Sequence, residues 1–115
     1  MSVDLYGITS CSTVTKAKRW LEAQEISYQF HNFKKDGIEA DTLLRWIADY
    51  GLDTVLNKRS TTWRKLPEAD RSDVDAEKAV QLMQENPSLI KRPVIEAKGS
   101  CLFGFKEDAY QELFL

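Results

Sequence analysis

The sequence predicts an α/β fold in which a strand-helix-strand unit leads into a helical insert, followed by two strands and a final helix. Three patterns support this prediction. A short apolar run at Val3 to Gly7 ends in a glycine, a helical pattern of apolar residues follows it, and two short apolar runs flank a glycine turn near the chain end. With 115 residues, 43% of them hydrophobic, the chain suits one domain with a buried core.

The first half of the predicted sheet comes from the strand-helix-strand unit. After Val3 to Gly7, apolar residues recur three and four positions apart, which predicts an amphipathic helix capped by Ser10 or Ser12. The alternating stretch from Ile26 to Phe33 predicts a second strand, and a turn at 34–37 closes it. Strands joined in this way are parallel, and the helix begins at the carboxyl end of the first strand. The apolar helix positions are Val14, Ala17, Trp20 and Leu21.

A helical insert is predicted at about residues 38–88. It begins and ends with an amphipathic helix, and a polar stretch without regular periodicity separates the two. A glycine after the first helix and acidic caps before the second are the expected boundary signals. The predicted segments are Asp41 to Tyr50 ending at Gly51, the irregular residues 53–72, and a helix from Asp73 or Asp75 to near Asn86 and Pro87.

The chain is predicted to end with a hairpin and a helix. Pro93 to Ala97 and Cys101 to Phe105 are the two strands, the turn at 98–100 joins them, and Glu107 to Phe114 is the last helix. The order βαβ, helical insert, ββα with a mixed four-stranded sheet is that of thioredoxin-like folds. We therefore expect residues 1–115 to form a single thioredoxin-like domain.

Composition and charge indicate which binding partners and which cellular compartment to expect. Sixteen basic and eighteen acidic residues give a net charge of -2, so we expect no direct binding of nucleic acid. The segment Met1 to Tyr6 has no basic lead-in, and no apolar run approaches the ~20 residues of a membrane span. Two cysteines are too few for a disulfide framework. We expect a cytoplasmic protein that does not bind membranes.

Cys11 is the candidate catalytic nucleophile. It lies four residues past the first strand, at the first turn of the predicted helix. Unpaired backbone N–H groups and the helix dipole favour an anion there, so the pKa of this thiol is expected below its usual value of about 8.5. The alternative is a structural cysteine, but the polar neighbours Ser10 and Ser12 do not suit a core position.

Cys101 is not expected to pair with Cys11. The position three after Cys11 is Val14, so no C-x-x-C pair is present. About four residues of strand, at ~3.3 Å each, separate Cys101 from the Pro93 end of the hairpin, which exceeds the reach of a disulfide if the thiol site lies there. We interpret Cys101 as a core residue. An external thiol would then have to resolve a mixed disulfide on Cys11.

Two arginines in loops are candidate anion-binding residues. Arg59 and Arg92 would lower the pKa of a nearby thiol and bind an oxyanion or carboxylate, although each alone could be a solvated surface charge.

His31, the single histidine, is interpreted as structural. Two distant cysteines and one histidine cannot supply a four-ligand zinc site, so no metal and no bound cofactor are predicted.

Three ordered blocks of the sequence resemble the arsenate reductase (ArsC)-like family, and within it the small Spx/YffB-like branch. The resemblance spans essentially the whole chain. The blocks are Leu5-Tyr6-Gly7-Ile8-Thr9-Ser10-Cys11-Ser12-Thr13-Val14-Thr15-Lys16-Ala17, Leu56-Asn57-Lys58-Arg59-Ser60 with Trp63-Arg64-Lys65-Leu66, and Ile90-Lys91-Arg92-Pro93-Val94-Ile95.

The resemblance implies a nucleophilic cysteine at Cys11, anion-binding arginines at Arg59 and Arg92, and a cis proline at Pro93. Glutathione is the expected co-substrate, with small thiols or oxyanions as substrates. We expect the glutathione-binding residues to be Thr9, Ser10, Pro93 and Val94.

Two departures from the family pattern decide which functional hypothesis is placed first. Arsenate reductases of the family have a histidine-asparagine pair where this chain has Gly7 and Ile8, and a third arginine that Leu102 to Phe105 does not offer. The first hypothesis is therefore a glutathione-dependent thiol reductase, and arsenate reductase is an alternative. A further alternative, implied by the Spx-like relatives, is a non-catalytic protein that contacts RNA polymerase subunits through basic residues around Trp63.

Overall fold

The computed structural model describes residues 2–115, and a mixed four-stranded sheet is its central element. The strand order is β2-β1-β3-β4. β1 runs parallel to β2 and antiparallel to β3, and β4 pairs antiparallel with β3. This arrangement confirms the predicted thioredoxin-like fold. The strands are β1 Val3–Gly7, β2 Gln29–Asn32, β3 Val94–Ala97 and β4 Ser100–Phe103.

Eight α-helices and one 3-10 turn are found among residues 2–115. Three helices of ten or more residues, α1, α3 and α7, lie within a few residues of the amphipathic patterns that predict them. The α-helices are α1 Ser12–Ala23, α2 Phe33–Asp36, α3 Ala40–Tyr50, α4 Leu52–Val55, α5 Thr61–Lys65, α6 Glu68–Arg71, α7 Ala76–Glu85 and α8 Glu107–Phe114, and the 3-10 turn is Pro87–Leu89.

The chain divides into two compact units, which we call the sheet unit and the helical unit. The sheet unit comprises residues 1–36 and 92–115, and the helical unit comprises residues 37–91. In the sheet unit, alternate residues of β1 enter a core with one face of α1 and with α8, as the two-residue period of a strand requires. The buried members of this core are Val3, Leu5, Ala17, Trp20, Leu21, Ile95, Ala97 and Tyr110.

The helical unit is built around the packing of α3 against α7. Trp46 of α3 and Met83 of α7 are fully buried, and Val55 and Ile90 are buried in the segments that flank the polar middle of the unit. Asp75 is the N-cap of α7 and accepts a hydrogen bond from Lys78 N at 2.8 Å. It is one of the two residues predicted to cap this helix. Gly51 ends α3, with its N–H donating to Ile47 O at 2.8 Å.

Several predicted boundaries are wrong, and local hydrogen bonds explain them. The second strand is shorter than Ile26 to Phe33 because Ile26 N still bonds the helix carbonyl of Leu21, at 2.9 Å. At its other end, Asn32 Oδ1 accepts the N–H groups of Lys34 and Lys35, which makes the short helix Phe33–Asp36 where the end of the strand and a turn at 34–37 were predicted.

Two further corrections concern irregular segments. Residues 53–72, predicted to be irregular, contain the short helices α5 and α6 and most of α4. Ser60 caps α5 by accepting a hydrogen bond from Trp63 N at 3.2 Å. The strand predicted to reach Phe105 ends at Phe103, because Gly104 adopts a φ of 87° and its N–H donates to Pro93 O at 2.8 Å.

Among residues 2–115, no helix is long and apolar enough to cross a membrane.

Candidate functional site

Cys11 lies between the end of β1 and the start of α1. The loop turns sharply, since Cys11 N donates to Ile8 O at 3.3 Å. The carbonyl of Cys11 then accepts the first helical hydrogen bond, from Thr15 N at 3.1 Å. With an extended backbone at φ -86° and ψ 122°, Cys11 itself is the N-cap residue of α1.

The cap of α1 differs from the prediction. Neither Ser10 nor Ser12 is the N-cap, and no side chain makes a capping hydrogen bond at this helix start. The side chain of an N-cap residue faces the N–H groups two and three positions later, which are those of Thr13 and Val14. A sulfur at this position, once deprotonated, takes the place of the oxygen of a serine or aspartate cap.

The environment of Cys11 stabilises the thiolate. Partial burial raises the pKa of the thiol, but the backbone N–H groups of Val14 and Thr13 and the positive charge of Arg92 lower it more. The net result is a Cys11 pKa below the ordinary value of a cysteine. A thiolate is the nucleophilic form of cysteine, so the lowered pKa makes Cys11 a candidate nucleophile.

Arg92 and Pro93 belong to the same compact unit as Cys11. Arg92 lies two residues before β3, and its charge and side-chain hydrogen bond both lower the pKa of Cys11. The Arg92–Pro93 peptide bond is cis, as the family resemblance implied. The structure thus brings together Cys11 and Arg92 from two separate parts of the sequence, and Pro93 follows Arg92 directly in the chain.

The other predicted binding residues flank these groups. Thr9 and Ser10 are exposed in the turn just before Cys11, while Pro93 and Val94 are buried at the start of β3. The Pro93 carbonyl already accepts the Gly104 N–H. Their role in binding glutathione stays a prediction.

Arg59 lies in the helical unit, in the loop between α4 and α5. The loop is held by Asn57, whose side-chain Oδ1 accepts Arg59 N at 3.1 Å and whose carbonyl accepts Ser60 Oγ at 3.0 Å. The guanidinium is exposed. Its action on Cys11 stays a prediction.

Gly7 is a site-shaping residue that the sequence analysis missed. A Cβ atom at this position would lie 2.6 Å from Val14 Cγ2, closer than real contacts allow. Val14 is the N3 residue of α1 and is 1% exposed, so it cannot move away freely. The absence of a side chain at Gly7 therefore lets α1 start close against β1. A glycine at the end of a strand just before a helix was the available signal.

The interpretation of Cys101 as a core residue is wrong. Cys101, like Cys11, forms no disulfide and is partly exposed. Strand alternation explains this: Leu102 packs against the core, so its neighbour Cys101 lies on the opposite face of β4. There its thiol donates to Glu96 Oε2 at 3.5 Å, on the strand position directly opposite.

His31 has the structural surroundings that the sequence analysis expected. Its Nε2 lies 2.8 Å from Asp4 Oδ1, and its ring stacks on Tyr6 with centroids 4.5 Å apart. Within residues 2–115, no three His, Cys, Asp or Glu side chains are grouped to hold a metal ion.

The family model that matches this chain is that of the ArsC family, over residues 6–113. An uncharacterized protein from Haemophilus influenzae is 41% identical over 112 residues, which are 97% of this chain and 98% of the relative. The global transcriptional regulator Spx of Listeria innocua is 33% identical over 109 residues, covering 92% of this chain and 82% of the regulator.

Solved structures give the same assignment. The YFFB protein is 47% identical, with a TM-score of 0.95 over 99% of this chain and 100% of its own. An arsenate reductase (ArsC) related protein from Brucella melitensis is also 47% identical, with a TM-score of 0.77 over 99% of this chain and 95% of its own. Together with the family model, these similarities support an oxidoreductase-like activity. The chain belongs to the ArsC family, in the branch that resembles the YFFB and Spx proteins.

Proposed function

We propose that this protein is a glutathione-dependent thiol reductase that uses Cys11 as its single nucleophile. The observation that carries the proposal is the position of Cys11 at the N-cap of α1, where backbone N–H groups and Arg92 lower the pKa of its thiol. A structural cysteine needs no such environment. Two cysteines that form no disulfide fit a reducing compartment, and we place the activity in the cytoplasm.

In the first step, the Cys11 thiolate attacks the glutathione sulfur of a mixed disulfide between glutathione and a substrate thiol. The bond between Cys11 and the glutathione sulfur forms as the original disulfide bond breaks. The substrate sulfur leaves as a thiolate and takes a proton from solvent. The substrate is thereby reduced, and Cys11 is oxidised to a mixed disulfide with glutathione.

In the second step, a glutathione thiolate attacks the glutathione sulfur of this adduct. Glutathione disulfide leaves and the Cys11 thiolate is regenerated. The sum of both steps converts one mixed disulfide and one glutathione into one free thiol and one glutathione disulfide. An external thiol is required because position 14, three residues after Cys11, is a valine.

The binding roles follow from the chemistry of glutathione, which has peptide groups and two carboxylates. We assign Thr9 and Ser10, together with the backbone at Pro93 and Val94, to the peptide part. Because the Pro93 carbonyl already accepts Gly104 N, it would use its second lone pair for glutathione. Arg92 and Arg59 would bind the anionic portion, since a guanidinium pairs with a carboxylate through two hydrogen bonds.

The test measures the turnover of a glutathionylated peptide with glutathione. The rate is monitored through the glutathione disulfide that forms. We expect a Cys11→Ser variant to lose essentially all activity, because a hydroxyl at this position is not ionised at neutral pH. The matched control is Cys101→Ser, which keeps one thiol and should retain the activity. Undiminished turnover in Cys11→Ser would exclude the proposal.

Two other functions have specific support. The 33% identity with the regulator Spx favours a partner-binding role, for which we propose a surface of Lys58, Arg64 and Lys65 around Trp63 that contacts RNA polymerase subunits. Retention of polymerase subunits by the immobilised protein, with no measurable turnover, would favour this role. The similarity to the ArsC-related protein favours arsenate reduction, which predicts arsenate turnover with glutathione and glutaredoxin.

A further inference from the structure

Gly7, at the end of β1, is required by space, whereas the other four glycines are required by backbone conformation. Those four have a positive φ, and a Cβ atom on any of them would have no other atom within 4 Å. Gly7 has no positive φ, so its backbone conformation suits other residues as well. A Cβ on Gly7 would lie 2.6 Å from Val14 Cγ2 and 3.3 Å from Val14 Cγ1. The other glycines are Gly37, Gly51, Gly99 and Gly104.

Neither partner of this contact can move freely. β1 lies between β2 and β3, and Gly7 is paired with Asn32 of β2. Val14 is the third residue of α1 and is 1% exposed. Because packed neighbours surround both residues, a side chain at position 7 would push the start of α1 away from the end of β1.

Cys11 links the two elements that would separate. Its N–H donates to Ile8 O at 3.3 Å, which ties Cys11 to the end of β1. Its carbonyl accepts Thr15 N at 3.1 Å and Thr15 Oγ1 at 3.3 Å, which ties Cys11 to α1. A movement of α1 away from β1 therefore changes the hydrogen bonds on at least one side of Cys11, and with them the direction of its side chain.

Val14 contacts Gly7 through its side chain and acts on Cys11 through its backbone. The side chain of an N-cap residue faces the N–H groups of the second and third helical residues, which here are Thr13 and Val14. Partial burial raises the pKa of Cys11, and the Val14 N–H has the largest of the opposing effects. The donor that most favours the thiolate thus belongs to the residue that Gly7 accommodates.

We propose that Gly7 is a positioning residue for the nucleophile. By having no side chain, Gly7 lets Val14 pack against the end of β1, and this contact holds the N–H groups of the first turn of α1 towards the Cys11 sulfur. The action is indirect, since Gly7 acts on Cys11 only through Val14. That Cys11 is a nucleophile rests on the proposed function, whereas the effect of Gly7 on the ionisation of Cys11 does not.

The test is the alkylation rate of Cys11 as a function of pH, with the Cys101→Ser variant as the parent. In Gly7→Ala, we expect the profile to move to higher pH. The rate at pH 7 should fall at least about threefold, and the rates should converge near pH 10, where the thiol is ionised in both proteins. In Val14→Ala, the first turn of α1 loses its contact with β1, and we expect a smaller movement in the same direction.

The double variant Gly7→Ala with Val14→Ala restores the contact in another form. A Cβ on residue 7 would lie 3.6 Å from the Cβ of residue 14, which is an ordinary van der Waals distance. We therefore expect the profile of the double variant to lie closer to that of the parent than the profile of either single variant does. The matched control is Val80→Ala, which removes buried methyl groups from the helical unit and should leave the profile unchanged.

Three results would overturn the inference. The first is a parental profile in folded Gly7→Ala, and the second is a double variant displaced as far as Gly7→Ala. The third is an equal displacement in Val80→Ala, which would assign the effect to lost stability. If Gly7→Ala does not fold, the comparison of Val14→Ala with the double variant decides. A double variant closer to the parent supports the positioning role, and identical profiles exclude it.

Turnover separates this inference from the proposed function. In the thiol-transfer assay, Gly7→Ala should lower turnover several-fold at pH 7 and recover it at higher pH. If Gly7→Ala leaves the alkylation profile unchanged while Cys11→Ser abolishes turnover, the positioning role fails and the reductase stands. If Cys11→Ser retains turnover while Gly7→Ala moves the alkylation profile, the reductase proposal fails and the positioning role stands.

Discussion

Arg92 lowers the pKa of the Cys11 thiol, although the two residues are eighty-one positions apart in the sequence. Arg92 comes from the segment before β3, and Cys11 from the start of α1. Their charge interaction and hydrogen bond both favour the thiolate. The fold thus places the candidate nucleophile Cys11 and a cation that lowers its pKa in one compact unit.

Removing the charge of Arg92 should raise the pKa of Cys11. In an Arg92→Gln variant, both the charge and the guanidinium hydrogen bond are lost, while the backbone N–H groups of Thr13 and Val14 remain. We expect the pH profile of Cys11 alkylation to move to higher pH, with a smaller movement for Arg92→Lys, which keeps the charge. A profile unchanged in Arg92→Gln would contradict this role.

The lowered pKa of Cys11 also links stability to pH. The folded protein releases the thiol proton at lower pH than the unfolded chain, whose cysteine has a pKa of about 8.5. Between these two pKa values the unfolded state binds more protons, so this contribution to stability increases as pH rises and is lost as pH falls. Urea unfolding of the wild type and of Cys11→Ala at pH 6 and pH 9 measures it. We expect the wild type to gain stability relative to the variant at pH 9, and a pH-independent difference would refute the linkage.

A methyl group at Gly7 should destabilise the protein. Gly7→Ala places a Cβ 2.6 Å from Val14 Cγ2, and overpacking of this kind typically costs about 1–3 kcal/mol. The double variant Gly7→Ala with Val14→Ala removes the clash and should recover part of the loss. Chemical denaturation measures both. Additive losses in the double variant would show that Val14 is not the cause.

Tyr110 offers a prediction about the core of the sheet unit. Its hydroxyl is buried and finds no hydrogen-bond partner among residues 2–115, and burial raises the pKa of this phenol. Tyr110→Phe should therefore be neutral or stabilising by about 1 kcal/mol, since it removes an unsatisfied polar group. Tyr110→Leu, which loses the edge contacts with Trp20 and Phe105, serves as the destabilising comparison. Thermal unfolding that shows a clear loss in Tyr110→Phe would contradict this view.

Sequence patterns predict helices and strands well where buried residues recur at the regular spacing of a helix or a strand. The apolar positions Val14, Ala17 and Leu21 are all buried in α1, and the final helix Glu107–Phe114 has the predicted bounds. The segment 53–72 was less predictable because its short helices depend on single hydrogen bonds, such as the Ser60 cap, rather than on periodicity. The single-domain interpretation stays a prediction.

Two of the predicted site residues, Cys11 and Arg92, interact in the structure, while the roles of all the predicted site residues stay predictions. Cys11 and Arg92 were identified from a helix start and a loop position. The cap of α1 is hard to predict because a thiol is not a usual capping group, and the exposure of Cys101 follows from strand alternation with Leu102 and not from its residue type. The tight contact between Gly7 and Val14 depends on tertiary structure, and sequence spacing does not contain it.

The central claim is that Cys11 is a stabilised thiolate that accepts one glutathione. The most direct test is the alkylation rate of Cys11 as a function of pH in a Cys101→Ser variant, combined with the intact mass after treatment with glutathione disulfide. We predict a pKa below about 8.5 and a mass increase of a single glutathione at Cys11. An ordinary thiol pKa with no adduct would contradict the account.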